Sequence, residues 1–211
     1  MTRTIDSINE ISLDWLIGTL SGVEEFQDDK IVDLTVKQIG EGIGQLGEFA
    51  LLETKRASGL ETKIFAKVQT ANEDLDNVAR DYQFYLREVR FYENLANKIS
   101  VKTPHPYYVE HDAETGKVIL LLDFLDNWYN PDQIEGASKS EIDLAIEGLI
   151  PITTQFWGTI KQIDWVPDAK ERYMLKVVDD MVEFQPEFLR RFGHLMSPPR
   201  RETLAKIVAY Y

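Results

Sequence analysis

The reading of this chain turns on Gly40-Glu41-Gly42-Ile43-Gly44-Gln45-Leu46-Gly47, followed by Ile64-Phe65-Ala66-Lys67-Val68 and then by Arg87-Glu88-Val89-Arg90-Phe91-Tyr92. A turn with four glycines between two strand-like runs lets the backbone approach a ligand and aim its N–H groups at an anion, because no Cβ intervenes. A lysine on a neighbouring strand adds a point charge for phosphate oxygens, and a glutamate on the following helix can hold that lysine in place. Each part alone has an ordinary explanation, as a turn, a solvated strand lysine and the outer face of a helix. Their order and spacing together point to a phosphate as guest.

The flanking patterns predict the scaffold. Val32, Leu34 and Val36 alternate with Asp33, Thr35 and Lys37, the period of a half-buried strand. Phe49 to Thr54 reads as the return strand, Ser58-Gly59 as a turn, and Lys63 to Gln69 as a third strand, giving a meander with its functional turn between the first two strands. Upstream, Ser12 caps a short helix that ends near Gly18 or Gly22. Downstream, Val78, Tyr82, Tyr85, Val89, Tyr92 and Ala96 recur at helical spacing and predict one helix over 77–96 with a buried stripe. Glu88 sits on the shoulder of that stripe among Phe84, Tyr85, Phe91 and Tyr92. A carboxylate in such company needs a cation, and Lys67 is the expected one.

Thr103-Pro104-His105-Pro106 reads as a rigid link, Tyr107 to His111 as a strand, and Glu114-Thr115-Gly116-Lys117 as a hairpin turn. The unbroken apolar run Val118 to Leu122 is the signature of a strand buried on both faces. Composition then shifts through Asp123-Phe124-Leu125-Asp126-Asn127, and Asn130-Pro131-Asp132 with Glu135-Gly136-Ala137-Ser138 predict a linker. The expected domains are therefore 1–126 and 127–211. In the second, Ser138 and Glu141 form a capping box for a helix striped with Ile142, Ala145, Ile146, Leu149, Ile152, Phe156 and Ile160, which Pro151 should kink or restart. A further helix is expected over 169–191, interrupted near Pro186, and a last one from Arg200 after Pro198-Pro199.

Composition narrows the chemistry. A net charge of −13 disfavours broad binding to nucleic acid or an anionic membrane, since both need an extended positive face, but a local cluster of amides with one lysine can still hold ATP. There is no cysteine, which removes disulfides, zinc-thiolate sites and cysteine nucleophiles. The three histidines, at 105, 111 and 194, are too dispersed to predict a metal site. The first residues mix Arg3, Asp6, Glu10 and Asp14 with apolar ones, unlike a secretory or transit peptide, and no apolar run suits a membrane span. A cytoplasmic location follows as the expectation.

With its parts in this order the chain resembles the aminoglycoside phosphotransferase-like branch of the protein-kinase fold, and within it the ecdysteroid-kinase-like and choline-kinase-like small-molecule kinases. The resemblance is carried by Gly42-Ile43-Gly44-Gln45-Leu46-Gly47, Ala66-Lys67, Arg87-Glu88-Val89-Arg90-Phe91-Tyr92, Val101-Lys102-Thr103-Pro104, Leu120-Leu121-Leu122-Asp123-Phe124 and Gln155-Phe156-Trp157-Gly158. It implies an α+β, kinase-like fold: an antiparallel-sheet N-lobe with one long helix, followed by the first helices of an incomplete α-helical C-lobe. It further implies that Gly42, Gly44 and Gly47 cover the phosphates of ATP, that Lys67 contacts the α and β phosphates, and that Glu88 pairs with it. Leu122 would back the adenine, and the backbone of Asp123 and Leu125 would meet its edge. The family uses ATP with Mg²⁺ to phosphorylate a hydroxyl of a small molecule.

Two departures limit that implication. Where the family commonly has Leu-His-Ala the chain reads Ile152-Thr153-Thr154, and the family's His-Gly-Asp with an Asn five residues after the Asp has no counterpart. His111-Asp112 is followed by Ala113-Glu114 and does not fit it. No catalytic residue or metal ligand is therefore assigned; the base and ligands are expected beyond Tyr211. The expected activity is that of a small-molecule phosphotransferase lacking its catalytic loop. The alternative is a non-catalytic fragment of the same fold that binds a nucleotide, or a protein through helical surface left uncovered, self-association included.

Overall fold

The computed structural model describes residues 3–40, 46–128, 131, 135–167 and 172–210, with side chains left aside at 172–174 and 208–210. Two compact units divide at Gly158 and Thr159. The boundary expected between residues 126 and 127 falls within the first unit, Met1–Gly158.

The first unit is α+β and is built on a five-stranded antiparallel sheet. Its elements are α1 (Leu13–Leu20), α2 (Glu24–Gln27), β1 (Ile31–Ile39), β2 (Glu48–Arg56), β3 (Glu61–Val68), α3 (Glu73–Asp81), α4 (Phe84–Asn94), β4 (Pro106–His111), β5 (Val118–Asp123) and α5 (Lys139–Phe156). The strand order is β1-β2-β3-β5-β4. From β3 the chain crosses through α3 and α4 to the outer strand β4, then returns by a hairpin to fill the place between β3 and β4 as β5. That insertion explains the unbroken apolar run, because β5 is covered on both faces. Ile119 and Leu121 join one core with Ala50, Leu52, Ile64, Ala66 and Val68, roofed by Ile8, Leu16, Leu20 and Phe26 of the N-terminal segment. Val118, Leu120 and Leu122 join a second core with Ala79, Tyr85 and Val89 of α3 and α4.

Local chemistry fixes the ends of the elements. Ser12 Oγ accepts from the Trp15 N–H, and Asn72 Oδ1 from the Leu75 N–H, each satisfying an orphan amide of a first turn. Ser138 and Glu141 close the expected capping box at the start of α5. Two buried polar side chains lock the N-terminal segment to the sheet. Gln69 Nε2 donates to the Ile5 and Asp6 carbonyls at 2.7 and 3.1 Å while its Oε1 accepts from the Val118 N–H at 3.0 Å. Arg56 lies 4.4 Å over the Phe26 ring and pairs with the Glu25 carboxylate.

The structure corrects the sequence reading at several points. The helix expected over 77–96 is two helices, broken where Gln83 takes a left-handed φ of +54°. The apolar period runs across the break, so it could not reveal it; Val78, on the supposed stripe, is 42% exposed. β1 is an edge strand: of the three alternating residues Val32 and Val36 are exposed and only Leu34 packs on the first core, which Ile31 at the start of the strand also enters. Pro151 lies within a continuous α5, and no residue of α5 is buried. A proline orphans the carbonyl four residues back, here that of Glu147, and on an exposed helix water can satisfy it.

The second unit holds α6 (Arg172–Phe192) and α7 (Pro198–Tyr210). α6 runs through Pro186 without the expected interruption, and α7 begins at Pro198 rather than Arg200, since the first turn of a helix tolerates proline. Among the described residues no helix is long and apolar enough to cross a membrane.

Gln69→Leu should lower stability by about 2 kcal/mol, because two carbonyls and an amide lose buried partners at once. Thermal unfolding checks the loss, and limited proteolysis should cut the segment before Leu13 faster in the variant than in the parent.

Candidate functional site

The site is assembled on the face of the sheet that α4 covers. In register, Phe49 of β2 lies opposite Lys67 of β3, and on the other side Lys67 lies opposite Leu120 and Phe65 opposite Leu122 of β5. Strand alternation puts Phe65 and Lys67 on one face, toward α4. There Lys67 Nζ meets Glu88 Oε2 at 2.5 Å, with the two side chains 15% and 33% exposed. The carboxylate among aromatics has thus found its cation, twenty-one residues earlier in the chain. Tyr92, one turn further along α4, is pushed up to about 12 by burial and secondarily by the charge of Glu88.

Gly47 closes the other side of the lysine. A Cβ there would stand 2.9 Å from the Val68 carbonyl oxygen, 3.1 Å from Lys67 Cε and 3.2 Å from Phe49 Cε1. No side chain fits without displacing backbone. Gly40, at the other stem of the loop, has a φ of +69° and a Cβ position 3.1 Å from the same Phe49 ring. Gly42 and Gly44, which the sequence also assigned to a phosphate loop, lie outside the described residues.

The other candidate residues gather at the end of β5. Leu122 is 4% exposed within the second core. Asp123 pairs in register with Ile64, its amide donates to the His105 carbonyl at 2.8 Å, and its carboxylate accepts from Tyr107 Oη. Burial, followed by this carboxylate, raises the Tyr107 phenol well above its usual range. The Leu125 carbonyl accepts from the Trp128 N–H at 3.2 Å. From the Lys67 level to the Asp123 level is three residues of strand, about 10 Å.

A concavity of about 680 Å³ lies at this second end. It is lined by Glu53, Lys63, Tyr107, Asp123, Phe124 and Asp126 among others, and includes neither Lys67 nor Glu88. Lys63 and Asp126 meet across it at 2.7 Å. The sequence reading passed over Phe49 and Phe65, whose rings stack with centroids 5.7 Å apart and planes 26° apart between the two ends of the site. Their signal was available: each stands two residues from a candidate, Gly47 and Lys67, so alternation places it on the same face. Among the described residues no three or more His, Asp or Glu gather as a cage for a metal ion.

Compared with protein-family models and with curated proteins, the chain matches none.

Gly47→Ala should cost about 1–3 kcal/mol by overpacking, whereas Gly148→Ala, in open space on α5, should be neutral or stabilise by up to about 1 kcal/mol; paired chemical denaturation curves test the contrast. The raised phenol of Tyr92 makes a separate prediction. Its folded value lies above the ordinary 10, so its contribution to stability is complete below pH 10 and is lost as pH rises through about 12. Alkaline difference spectra of Tyr92→Phe against the parent should lack one late-titrating phenol.

Proposed function

We propose that the first unit binds ATP in the manner of the small-molecule kinases that the sequence resembles. The observation that carries this reading is Lys67, whose ammonium is fixed by Glu88 at 2.5 Å and whose stem lies against a glycine position where no Cβ fits. An ammonium held by a carboxylate beside a bare backbone stem is suited to phosphate oxygens, which need a charge and an unobstructed approach. The layout agrees with it: the glycine turn joins the first two strands, the lysine sits on the third, and the glutamate comes from the helix between the third and fourth. In this reading Gly42, Gly44 and Gly47 lie over the phosphates. The base lies over Phe65 toward Leu122, and its edge meets the Asp123 carbonyl and the Leu125 amide, the Asp123 amide and Leu125 carbonyl being engaged within the chain.

The reaction class that goes with such a module is transfer of the γ-phosphoryl group to a hydroxyl of a small molecule. Positioning and charge neutralisation dominate that chemistry, and it also requires a residue to accept the hydroxyl proton. No motif in these 211 residues supplies that base. The described residues likewise do not fit a Mg²⁺ cage, so no step is routed through the metal. A second reading, a non-catalytic module that binds nucleotide or protein, is favoured by one observation: Leu144, Leu149 and Ile150 of α5 are each more than half exposed.

Titration calorimetry with ATP tests the reading. Lys67→Ala should weaken binding by about tenfold or more, the equivalent of roughly 1.4 kcal/mol, and Glu88→Gln by less. Affinity indifferent to the loss of Lys67 would refute nucleotide binding at this site. ADP release from MgATP with a panel of hydroxylated small molecules separates the phosphotransferase from the non-catalytic module.

A further inference from the structure

We propose that Phe49 is a positioning residue for Lys67: its ring is the wall against which the lysine stem is held, so that the ammonium stays beside the loop stem at Gly47. The inference rests on the nucleotide-binding reading, but half of its test needs no nucleotide. Four observations place the ring there. Phe49 is the register partner of Lys67 across β2 and β3. The Phe49 ring lies within 3.2 Å of the Cβ positions of both loop stems, Gly40 and Gly47, so it fills the space between them. Its centroid is 5.9 Å from Lys67 Nζ, within the range at which a cation is attracted to an aromatic face. Finally it leans on Phe65, which keeps it from swinging aside.

The ring does not serve as ordinary core. Phe49 is half-buried and belongs to neither core cluster. Glu88 fixes only the end of a long, flexible side chain, so the stem of Lys67 needs a wall if the ammonium is to wait in one place. Gly47 supplies one side as bare backbone and Phe49 supplies the other. Without the ring the lysine gains rotamers, and the phosphate end of the site loosens while the base end does not.

Phe49→Ala, Phe49→Leu and Phe49→Tyr are compared with the parent in two measurements. The first is the acylation rate of Lys67 in the nucleotide-free protein, followed residue by residue by mass spectrometry. It should rise on the order of fivefold in Phe49→Ala, the ratio a lost cation–π contact produces, and stay at the parental rate in Phe49→Tyr. The second is calorimetry with inorganic tripolyphosphate and with adenosine. Phe49→Ala should weaken tripolyphosphate by a similar factor and leave adenosine unchanged. Unchanged Lys67 labelling in Phe49→Ala overturns the proposal, as does a loss of adenosine affinity with tripolyphosphate intact, which would make Phe49 a base contact. Should the alanine variant not fold, Phe49→Leu, which removes the aromatic face and part of the wall, should raise the labelling rate in the same direction by a smaller factor. If labelling responds as expected but the parent binds neither probe, the positioning stands and the nucleotide reading falls.

Discussion

Everything in the first unit depends on β5 lying between β3 and β4. A strand in that position must be apolar toward both faces, and five consecutive residues from Val118 to Leu122 meet the demand. Burying it creates two cores rather than one. The N-terminal segment supplies the lid of one, and α3 with α4 supply the other. The crossover from β3 to β4 has to pass over the sheet on the α4 side, and this is what brings Glu88 above the strand that carries Lys67. Gln69, at the end of β3, ties the arrangement together by bonding both the N-terminal lid and the first amide of β5.

Within that frame the Lys67–Glu88 pair is a costly placement of charge. Two ionised groups on a largely covered face lose hydration, and only close contact offsets the loss. A pair of that kind contributes little net stability and much specificity of position. Under the proposed reading it is a prepared contact for a third, anionic group, while Tyr85 and Val89 hold α4 to the sheet through burial. The tyrosines and phenylalanines around it exclude water and strengthen the field between the charges.

The surface of α5 and of α6 is of a different character. Both helices turn apolar side chains outward, among them Leu144 and Leu149 in the first unit and Met181 and Phe184 in the second. Apolar exposure on that scale is characteristic of surfaces that contact something else. The amphipathic sequence of α6 produced a helix, as its period required, but the period by itself says nothing about which surface covers the stripe.

The strands, the glycine turn, the helix caps at Ser12 and Ser138 and the doubly buried strand were legible in the sequence, because each is encoded within a few neighbouring residues. Ser138 with Glu141 can be read as a cap from four positions. The break at Gln83 and the uninterrupted courses of α5 and α6 through proline were not legible. Local periodicity and local propensity point one way there, and solvation of a freed carbonyl or docking onto β5 decides otherwise. The site divides in the same manner. Residue types and spacing determined that Lys67 and Glu88 were complementary and that Gly47 belonged to a turn needing no side chain. Only the tertiary structure decided that the lysine and glutamate touch, that Phe49 stands between the loop stems, and that Asp123 turns its carboxylate to Tyr107. Those facts depend on strand register and on the crossover of the chain. Register is fixed by which faces can be buried together, a property of the whole sheet rather than of any one stretch.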